Sequence, residues 1–182
     1  MRVIAGTARS IPLIAPKGEK TRPTIDKHKE TLFNCLSDRL YDSVFVDLYS
    51  GSGAIGIEAL SRGARRCYFV ENDKDALHCI RENLSKTKLT DGAVLIPADV
   101  RTALCTKLPE QADIIFLDPP FALHAESEII PLIMKENRLS EGGRIVVECD
   151  FSADFTFLGG LGLEIFKEKS YSSCKHVFIK RK

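Results

Sequence analysis

Four consecutive residues combine a carboxylate, two prolines and an aromatic ring directly after an apolar run. They are Asp118-Pro119-Pro120-Phe121, and the run before them covers residues 113–117. A short run of β-formers predicts a strand buried on both faces. The prolines end that strand because they cannot donate ladder hydrogen bonds. The tetrad therefore predicts a stiff arm beyond the carboxyl end of a strand, where open parallel sheets bind their ligands.

A flat substrate that carries an –NH2 group fits such an arm. The Asp118 carboxylate and the Pro119 carbonyl can each accept one amino hydrogen, and Phe121 can stack on the ring that bears the amine. The alternative is an ordinary turn, in which Asp118 bonds to nearby backbone and Phe121 fills the core. The complete tetrad after a buried strand favours the catalytic interpretation.

A glycine-rich segment supplies the second chemical signal. Residues 47–56 contain a literal G-x-G-x-x-G, and Glu71 follows Gly51 by 20 residues at the end of the next predicted strand. This pattern is typical of dinucleotide-binding loops, in which the acid holds the ribose hydroxyls. A nicotinamide-dependent oxidoreductase is therefore one interpretation. Against it, Asp47 lies four residues before the first glycine, where its charge would disfavour a pyrophosphate.

Three acids at predicted strand ends favour a different cofactor. Asp47, Glu71 and Asp99 suit a ligand with an ammonium group, ribose hydroxyls and an adenine amine, but without phosphate. S-adenosylmethionine is such a ligand. Its ammonium is expected near Asp47, its ribose diol at Glu71 and its adenine amine at Asp99. The alternative for Asp99 is an N-cap, because a helix is predicted directly after it.

The whole chain limits the class of protein. Its 182 residues, 44% of them hydrophobic, suit one domain with a sizeable core. No window approaches the ~18 apolar residues of a membrane span, and the interrupted N-terminus is not a signal peptide. The six cysteines form no CxxC pair and no His/Cys cluster. We therefore expect a reduced cytoplasmic protein without a structural metal.

Charge is unevenly distributed along the chain. Residues 1–40 hold eight Lys or Arg against four Asp or Glu, and residues 164–182 hold six against two, whereas the middle is acidic. Two basic ends on one side of the molecule would form a patch suited to phosphates. The alternative is two solvated termini, and the sequence alone does not separate these interpretations.

Periodicity predicts the elements that must position these residues. Residues 1–16 predict a β-hairpin or extended arm, residues 17–24 a loop, and residues 26–40 a helix that buries Leu32, Phe33, Leu36 and Leu40. Strands and helices then alternate, which predicts a doubly wound α/β sheet. The predicted strands are 44–48, 67–71, 94–96, 113–117 and 144–148, followed by an edge hairpin of 163–169 and 176–180. The predicted helices pass through 57–60, 74–86, 100–107 and 126–137.

Taken together, these motifs resemble the bacterial small-subunit (16S) ribosomal RNA guanine-N2 methyltransferase family. The resemblance rests on the Asp-Pro-Pro-Phe tetrad, Arg2-Val3-Ile4-Ala5-Gly6, Arg22-Pro23-Thr24, Leu32-Phe33-Asn34 and Ser61-Arg62-Gly63-Ala64. It covers the chain nearly end to end. Departures include Ala5 in place of a second glycine and fewer basic residues in the arm.

The resemblance implies a Rossmann-like class I methyltransferase fold. This is a mostly parallel seven-stranded sheet with helices on both faces and an N-terminal β-hairpin arm. It implies a single domain over residues 1–182, with arm and loop in 1–24 and the catalytic core in 25–182. The implied reaction transfers a methyl group from S-adenosylmethionine to the exocyclic N2 of a specific guanine in 16S rRNA. The implied substrate is an assembled or assembling small ribosomal subunit, and the implied enzyme is a cytoplasmic monomer without a metal.

The resemblance also implies site residues. The catalytic residues implied are Asp118, Pro119, Pro120 and Phe121. The cofactor residues implied are Asp47, Tyr49, Gly51, Gly53, Glu71, Asn72, Asp99, Val100, Arg22 and Thr24. The RNA-binding residues implied are Arg2, Arg9, Lys17, Lys20, Lys27 and Lys29.

Three other functions stay open from the sequence. They are a methyltransferase for another nucleic-acid amino group such as adenine N6, a NAD-binding oxidoreductase, and a non-catalytic ribosome assembly factor. The intact tetrad disfavours the last. A chain of this length has no room for a separate DNA-recognition domain, which disfavours a restriction-type DNA methyltransferase.

Overall fold

The chain folds around a seven-stranded sheet in a computed structural model that describes residues 1–16, 26–108, 111–120 and 125–182. The strands are β1 (Val44–Leu48), β2 (Arg66–Glu71), β3 (Ala93–Pro97), β4 (Ala112–Leu117), β5 (Leu139–Cys149), β6 (Leu163–Ser170) and β7 (Lys175–Arg181). Their spatial order is β3-β2-β1-β4-β5-β7-β6. Strands β1 to β5 pair in parallel, and β7 pairs antiparallel with both β5 and β6. The predicted Rossmann-like α/β fold is confirmed.

Helices cover both faces of the sheet. They are α1 (Asp26–Cys35), α2 (Ser37–Leu40), α3 (Ala54–Ser61), α4 (Lys74–Thr87), α5 (Val100–Thr102) and α6 (Glu126–Lys135). Successive strand residues point to opposite faces, so Phe45 packs with α1, α3 and α4, whereas Val44 and Val46 pack with α5 and α6. The sheet therefore lies between two apolar cores, one on each face.

Two predicted elements differ from the structure. The predicted helix over 26–40 breaks at Leu36, where backbone amides bond three residues back rather than four (Leu36 N to Phe33 O, Arg39 N to Leu36 O). Strand β5 begins at Leu139 rather than at the predicted residue 144, and it runs through Gly142-Gly143. A shift in pairing register between Ala112 and Ile114 of β4 accommodates the extra residues.

The N-terminal residues form the antiparallel arm that the sequence predicts. Arg2 and Pro12 make a β-bridge, and the backbone of Val3 bonds to Ile11 O at 3.0 Å and to Ser10 N at 2.9 Å. The arm lies against α3. Ser61 Oγ donates to Ala5 O at 2.6 Å and accepts from Ala8 N at 2.9 Å.

A buried carboxylate on α3 holds the start of the arm. Glu58 accepts hydrogen bonds from the backbone amides of Ile4 (2.8 Å) and Ala5 (3.0 Å). It also accepts from Lys29 Nζ (3.1 Å) and Arg62 Nε (2.8 Å), and the Glu58 and Lys29 side chains are fully buried. Burial lowers the pKa of Lys29, and Glu58 opposes that shift. The arm, α1 and α3 therefore meet at one ion-pair cluster, the Glu58 cluster.

Other features of the described residues bear on the class of protein. All six cysteines are free thiols, of which Cys105 is exposed. Among the residues that the structure describes, no three His, Cys, Asp or Glu side chains group so as to hold a metal ion. Within the same ranges, no helix is both long and apolar enough to cross a membrane.

Candidate functional site

The carboxyl ends of β1, β2, β3 and β4 meet at one edge of the sheet. Their last residues are Leu48, Glu71, Pro97 and Leu117, and the predicted site residues Asp47, Glu71, Asp99 and Asp118 lie at these ends or within two residues of them. Parallel pairing places these ends side by side. The edge is therefore where the sequence motifs come together.

Asp47 lies beneath the loop that joins β1 to α3. Its side chain is buried, and its Oδ2 accepts from the Gly56 backbone amide at 3.0 Å. The pKa of Asp47 is raised to about 7, chiefly by burial and also by the Glu71 charge, while the Gly56 hydrogen bond opposes this rise. Asp47, near which the ammonium is expected, does not line the cavity described below. Its carboxylate supports the loop from below instead.

The loop adopts backbone conformations that few residues tolerate. Tyr49, Gly51 and Gly53 all have positive φ, and Tyr49 is strained because it carries a side chain. Gly56 permits close packing instead, since an added Cβ would lie 2.3 Å from the Phe69 ring. The glycines thus bend the loop and bring α3 against β2, as they do in nucleotide-binding βα units.

Glu71 ties the loop to the end of β2. Its Oε2 accepts from the Gly51 amide at 2.8 Å, and its Oε1 accepts from the amides of Asn72 (2.8 Å) and Asp73 (2.9 Å). A carboxylate has about four acceptor sites. Glu71 therefore keeps capacity for hydroxyl donors from a ligand.

Asp99 is a helix cap, which confirms the alternative that its position suggested. Its Oδ1 accepts from the Thr102 amide at 2.9 Å at the start of α5. That hydrogen bond lowers the pKa of Asp99. The side chain is exposed and also faces the cavity described next, so capping does not remove it from the site.

A cavity of about 260 Å³ opens at this edge. It collects five of the predicted cofactor residues, which are Tyr49, Glu71, Asn72, Asp99 and Val100. The other lining residues are Val70, Ala98, Arg101, Ala125, Glu128 and Ile129. Gly51 and Gly53 shape the loop but do not line the cavity. Of the remaining predicted residues, Arg22, Thr24 and Phe121 lie outside the described ranges.

The hydrogen-bonding groups around the cavity suit S-adenosylmethionine better than a dinucleotide. A pyrophosphate needs free loop amides, but Gly51 N donates to Glu71, Gly53 N to Ser50 O and Gly56 N to Asp47. The cavity also carries several carboxylates, and Arg101, the one cation among the described residues that line it, pairs with Glu128. Hydroxyl, amine and ammonium groups suit these acceptors, whereas phosphates do not.

The Asp118 arm leaves β4 as predicted. Strand β4 ends at Leu117, Asp118 is half-buried, Pro119 is buried and Pro120 is exposed. Asp118 lies close enough to Cys174 for its charge to act on that thiol, whose pKa rises to about 12 mainly through burial. Asp118 thus lies toward Cys174, which directly precedes β7, and neither Asp118, Pro119 nor Pro120 lines the cavity.

A polar chain that the sequence did not indicate lies beyond Asp118. The His176 ring is buried between Glu148 Oε2, 2.8 Å from its Nε2, and the Tyr171 hydroxyl, 3.1 Å from its Nδ1. His176 lowers the pKa of Glu148 against the effect of burial. Tyr171 stacks on His28 of α1, with ring centroids 3.7 Å apart. No sequence motif connects these residues, because they belong to four separate segments.

The predicted RNA-binding residues divide into three groups. Arg2, Arg9 and Lys27 are exposed, and Arg2 and Arg9 line a second cavity of about 530 Å³. Lys29 is wrong as an RNA contact, because its ammonium is fully buried against Glu58. Lys17 and Lys20 lie outside the described residues.

Sequence reasoning missed the wall of the cavity opposite the loop. Arg101 and Glu128, which line it, form an ion pair between α5 and α6, and Ala125 and Ile129 supply apolar surface. Neither charge stands in a motif. Only the packing of α6 beside α5 brings the two together.

The sheet order, the glycine loop and the strand-end cavity define the fold of a class I, Rossmann-like methyltransferase. The chain belongs to the family described as "Conserved hypothetical protein 95", whose family model matches residues 1–180. The resemblance to the small-subunit ribosomal RNA methyltransferase family is confirmed by relatives that carry such names.

Three similar proteins illustrate the relationship. "Putative rRNA methyltransferase YlbH" of Bacillus subtilis is 39% identical over 152 residues, which cover 82% of this chain and 83% of the relative. "Ribosomal RNA small subunit methyltransferase D" of Haemophilus influenzae is 36% identical over 154 residues, which cover 82% and 79%. The solved structure of "Putative methyltransferase yhhF" from Escherichia coli has a TM-score of 0.87 at 29% identity and covers 100% of this chain and 97% of that one.

Proposed function

We propose that the protein transfers a methyl group from S-adenosylmethionine to the exocyclic N2 of a guanine in 16S ribosomal RNA. The observation that carries the proposal is the adjacency of an acceptor-lined cavity and the Asp118-Pro119 arm at neighbouring strand ends. The family and the names of its relatives support ribosomal RNA as the substrate class.

The cavity residues hold and orient the cofactor in this proposal. Glu71 accepts hydrogen bonds from the ribose hydroxyls, Asp99 accepts from the adenine amine, and Val100 and Ile129 enclose the adenine ring. Asp47 and the glycines hold the loop that supports the amino-acid end. When bound, S-adenosylmethionine supplies an electrophilic methyl group on its sulfonium.

The Asp118 arm acts on the guanine amine. The lone pair of that nitrogen is conjugated with the ring, so the amine is a weak nucleophile. Hydrogen bonds from the –NH2 group to the Asp118 carboxylate and the Pro119 carbonyl favour a pyramidal nitrogen and fix its direction. The transfer would form the N2–CH3 bond and break the S–CH3 bond, with S-adenosylhomocysteine and one proton of the amine as the other products. Positioning of this kind supplies much of the rate. Phe121 is proposed to stack on a guanine turned out of its surroundings.

The N-terminal arm (residues 1–16) and α1 are proposed to contact the RNA backbone. Arg2, Arg9 and Lys27 are exposed cations near the start of the chain, and Lys17 and Lys20 belong to the same basic segment. Phosphate contacts of this kind orient the protein without reading sequence. The small ribosomal subunit, assembled or assembling, is the proposed partner of a monomeric enzyme.

A labelling experiment tests the function. The protein is incubated with tritiated S-adenosylmethionine and either in vitro transcribed 16S rRNA or small subunits assembled on that transcript. We expect label in N2-methylguanosine after nuclease digestion and mass spectrometry. Label in N6-methyladenosine would identify the alternative substrate. Absence of transfer to both substrates would favour an assembly factor.

A further inference from the structure

Two stacked rings lie at the same sheet edge as the Asp118 arm but take no part in the chemistry proposed above. His28 belongs to α1, and Tyr171 lies between β6 and β7. Their planes are 27° apart, and both rings are partly exposed. Accessible aromatic rings offer π-faces and edges to a planar ligand.

The fold fixes the Tyr171 ring before any ligand arrives. A carboxylate only accepts hydrogen bonds, so the proton in the 2.8 Å contact with Glu148 belongs to His176 Nε2. The other ring nitrogen, Nδ1, is hydrogen-bonded to the Tyr171 hydroxyl at 3.1 Å. The His176 ring also meets the Tyr171 ring edge-on at 76°. Because Tyr171 is ordered in advance, a ligand that stacks on it loses little side-chain entropy.

The polar support beneath Tyr171 is costly if its only role is packing. His176 is fully buried, and the Glu148 side chain is 14% exposed. Two apolar residues could join β5 to β7 without desolvating a carboxylate and an imidazole. The polar pair His176 and Glu148 instead fixes the orientation of the Tyr171 hydroxyl and ring.

The position of the stacked pair relates it to the substrate. Glu148 pairs with His176 across β5 and β7, so the amino end of β7 lies at the carboxyl edge of β4 and β5. Strands are about 4.8 Å apart, which separates β7 from β4 by roughly 10 Å across β5. Cys174 lies between, since the charges of both Glu148 and Asp118 act on its thiol. The pair is thus near Asp118 but displaced sideways from it.

We propose that His28 and Tyr171 form a stacking site for an unpaired nucleobase next to the target guanine in the RNA substrate. The lateral offset suits an adjacent base rather than the base whose amine contacts Asp118. Every base has a π-face, so the site contributes affinity and positioning rather than base identity. This inference rests on the proposed function.

Steady-state methylation tests the stacking site on whichever substrate takes label in the experiment above, the transcribed 16S rRNA or the small subunits assembled on it. We compare wild type with Tyr171→Leu, Tyr171→Phe and His28→Ala. The matched control is Tyr41→Ala, because Tyr41 is 83% exposed and precedes β1 at the opposite edge of the sheet. Loss of a base–aromatic stack should raise KM for RNA about tenfold in Tyr171→Leu. Tyr171→Phe keeps the ring and should stay nearer wild type, and Tyr41→Ala should match wild type.

Two further readouts separate stacking from a structural role. Cofactor affinity and the rate constant at saturating RNA should stay near wild type in Tyr171→Leu. An unchanged KM in Tyr171→Leu, or equal losses in the Phe and Leu variants, would overturn the proposal. If Tyr171→Leu lowers the thermal midpoint, His28→Ala is the variant that tests the stacking site, because it leaves the Tyr171–His176 hydrogen bond in place. The KM of His28→Ala for RNA should still be higher than that of Tyr41→Ala.

Failure of the proposed function gives a different result. Wild-type protein would then transfer no methyl group to the transcript or to subunits. The stacking site is judged in that case by filter binding of the same transcript. An identical dissociation constant for wild type and Tyr171→Leu would overturn it.

Discussion

At the scale of single residues, the proposed chemistry depends most directly on the Asp118 carboxylate that follows β4. The interaction it makes with the amine strengthens as the nitrogen loses conjugation and gains charge, so it acts on the rate constant more than on ground-state binding. We expect Asp118→Ala to slow single-turnover methylation about 10²–10⁴-fold. Asp118→Asn keeps an acceptor oxygen but loses the charge, so its methylation rate should lie between those of wild type and Asp118→Ala.

Three measurements on one preparation check this prediction. Cofactor affinity and the thermal midpoint of Asp118→Ala should stay near wild type, as should all properties of the exposed-residue control Asp91→Ala. Activity that falls only in step with the thermal midpoint would make Asp118 a structural turn residue instead.

Asp47 makes a prediction about pH. Its pKa is about 7 in the folded protein against an ordinary value of 3.8. Below about pH 4 both folded and unfolded states hold the proton, and stability is fully present. Between pH 4 and 7 only the folded state holds it, so stability falls, by at most ~4 kcal/mol in total, and is flat above. Asp47→Asn keeps the acceptor for Gly56 and removes the titration.

Urea unfolding across pH 4.5–8 measures this effect. The free energy of unfolding of Asp47→Asn should increase relative to that of wild type as pH rises. Above pH 7.5 the difference between the two proteins should stay constant. Asp91→Asn serves as the exposed control and should track wild type throughout. Parallel curves for Asp47→Asn and wild type would show that burial does not perturb Asp47.

At the scale of elements, the arm is held to α1 and α3 by the Glu58 cluster. Removal of one partner from a buried ion pair costs about 3–5 kcal/mol, because the other charge is left uncompensated. We expect Glu58→Gln to destabilise the protein by roughly 3 kcal/mol. Lys29→Met combined with Glu58→Gln should recover part of that loss, since the buried cation is gone.

A double-mutant cycle measured by urea unfolding isolates the Glu58–Lys29 interaction. Trypsin cleavage at Arg2 and Arg9 reports release of the arm and should speed up in Glu58→Gln. Additive single effects would mean that the two charges are independent despite their 3.1 Å separation.

The elements also show which features the sequence could predict. Strands β1, β2 and β4 are apolar runs with polar ends, so their positions followed from pattern alone. The continuation of β5 through Gly142-Gly143 did not, because two glycines are also typical of a turn and only the bulge opposite β4 makes them strand.

The candidate site was predictable where one motif carried it. The glycine loop, Glu71 and the Asp118 arm each stand in a contiguous pattern. Lys29 and Glu58 lie 29 residues apart, and neither stands in a sequence motif that indicates the other as its partner. Their pairing, like that of His176 with Glu148, exists only after the chain has folded.

At the scale of the whole molecule, cofactor choice should appear in stability. A ligand that binds only the folded state at 100 times its dissociation constant adds about 2.7 kcal/mol. For a chain of this size that corresponds to a rise of roughly 5–10 °C in the thermal midpoint. We expect this rise with S-adenosylmethionine and none with NAD, because the amides of Gly51, Gly53 and Gly56 already donate to protein acceptors.

Thermal scans and calorimetry with both ligands check the expectation. Glu71→Ala should weaken S-adenosylmethionine about tenfold or more, since a hydrogen bond to a charged group contributes about 1.5–3 kcal/mol. Stabilisation by NAD with no effect of S-adenosylmethionine would reverse the cofactor assignment.

The outer strands of the sheet have a consequence for self-association. An exposed strand edge can template pairing with a second chain, and proteins blunt such edges with bulges, lysines and proline. Strand β6 carries a register irregularity between Ile165 and Lys167 together with Lys169, and β3 ends in Pro97. The two edge strands, β3 and β6, are therefore poor templates for edge-to-edge aggregation, even at high protein concentration.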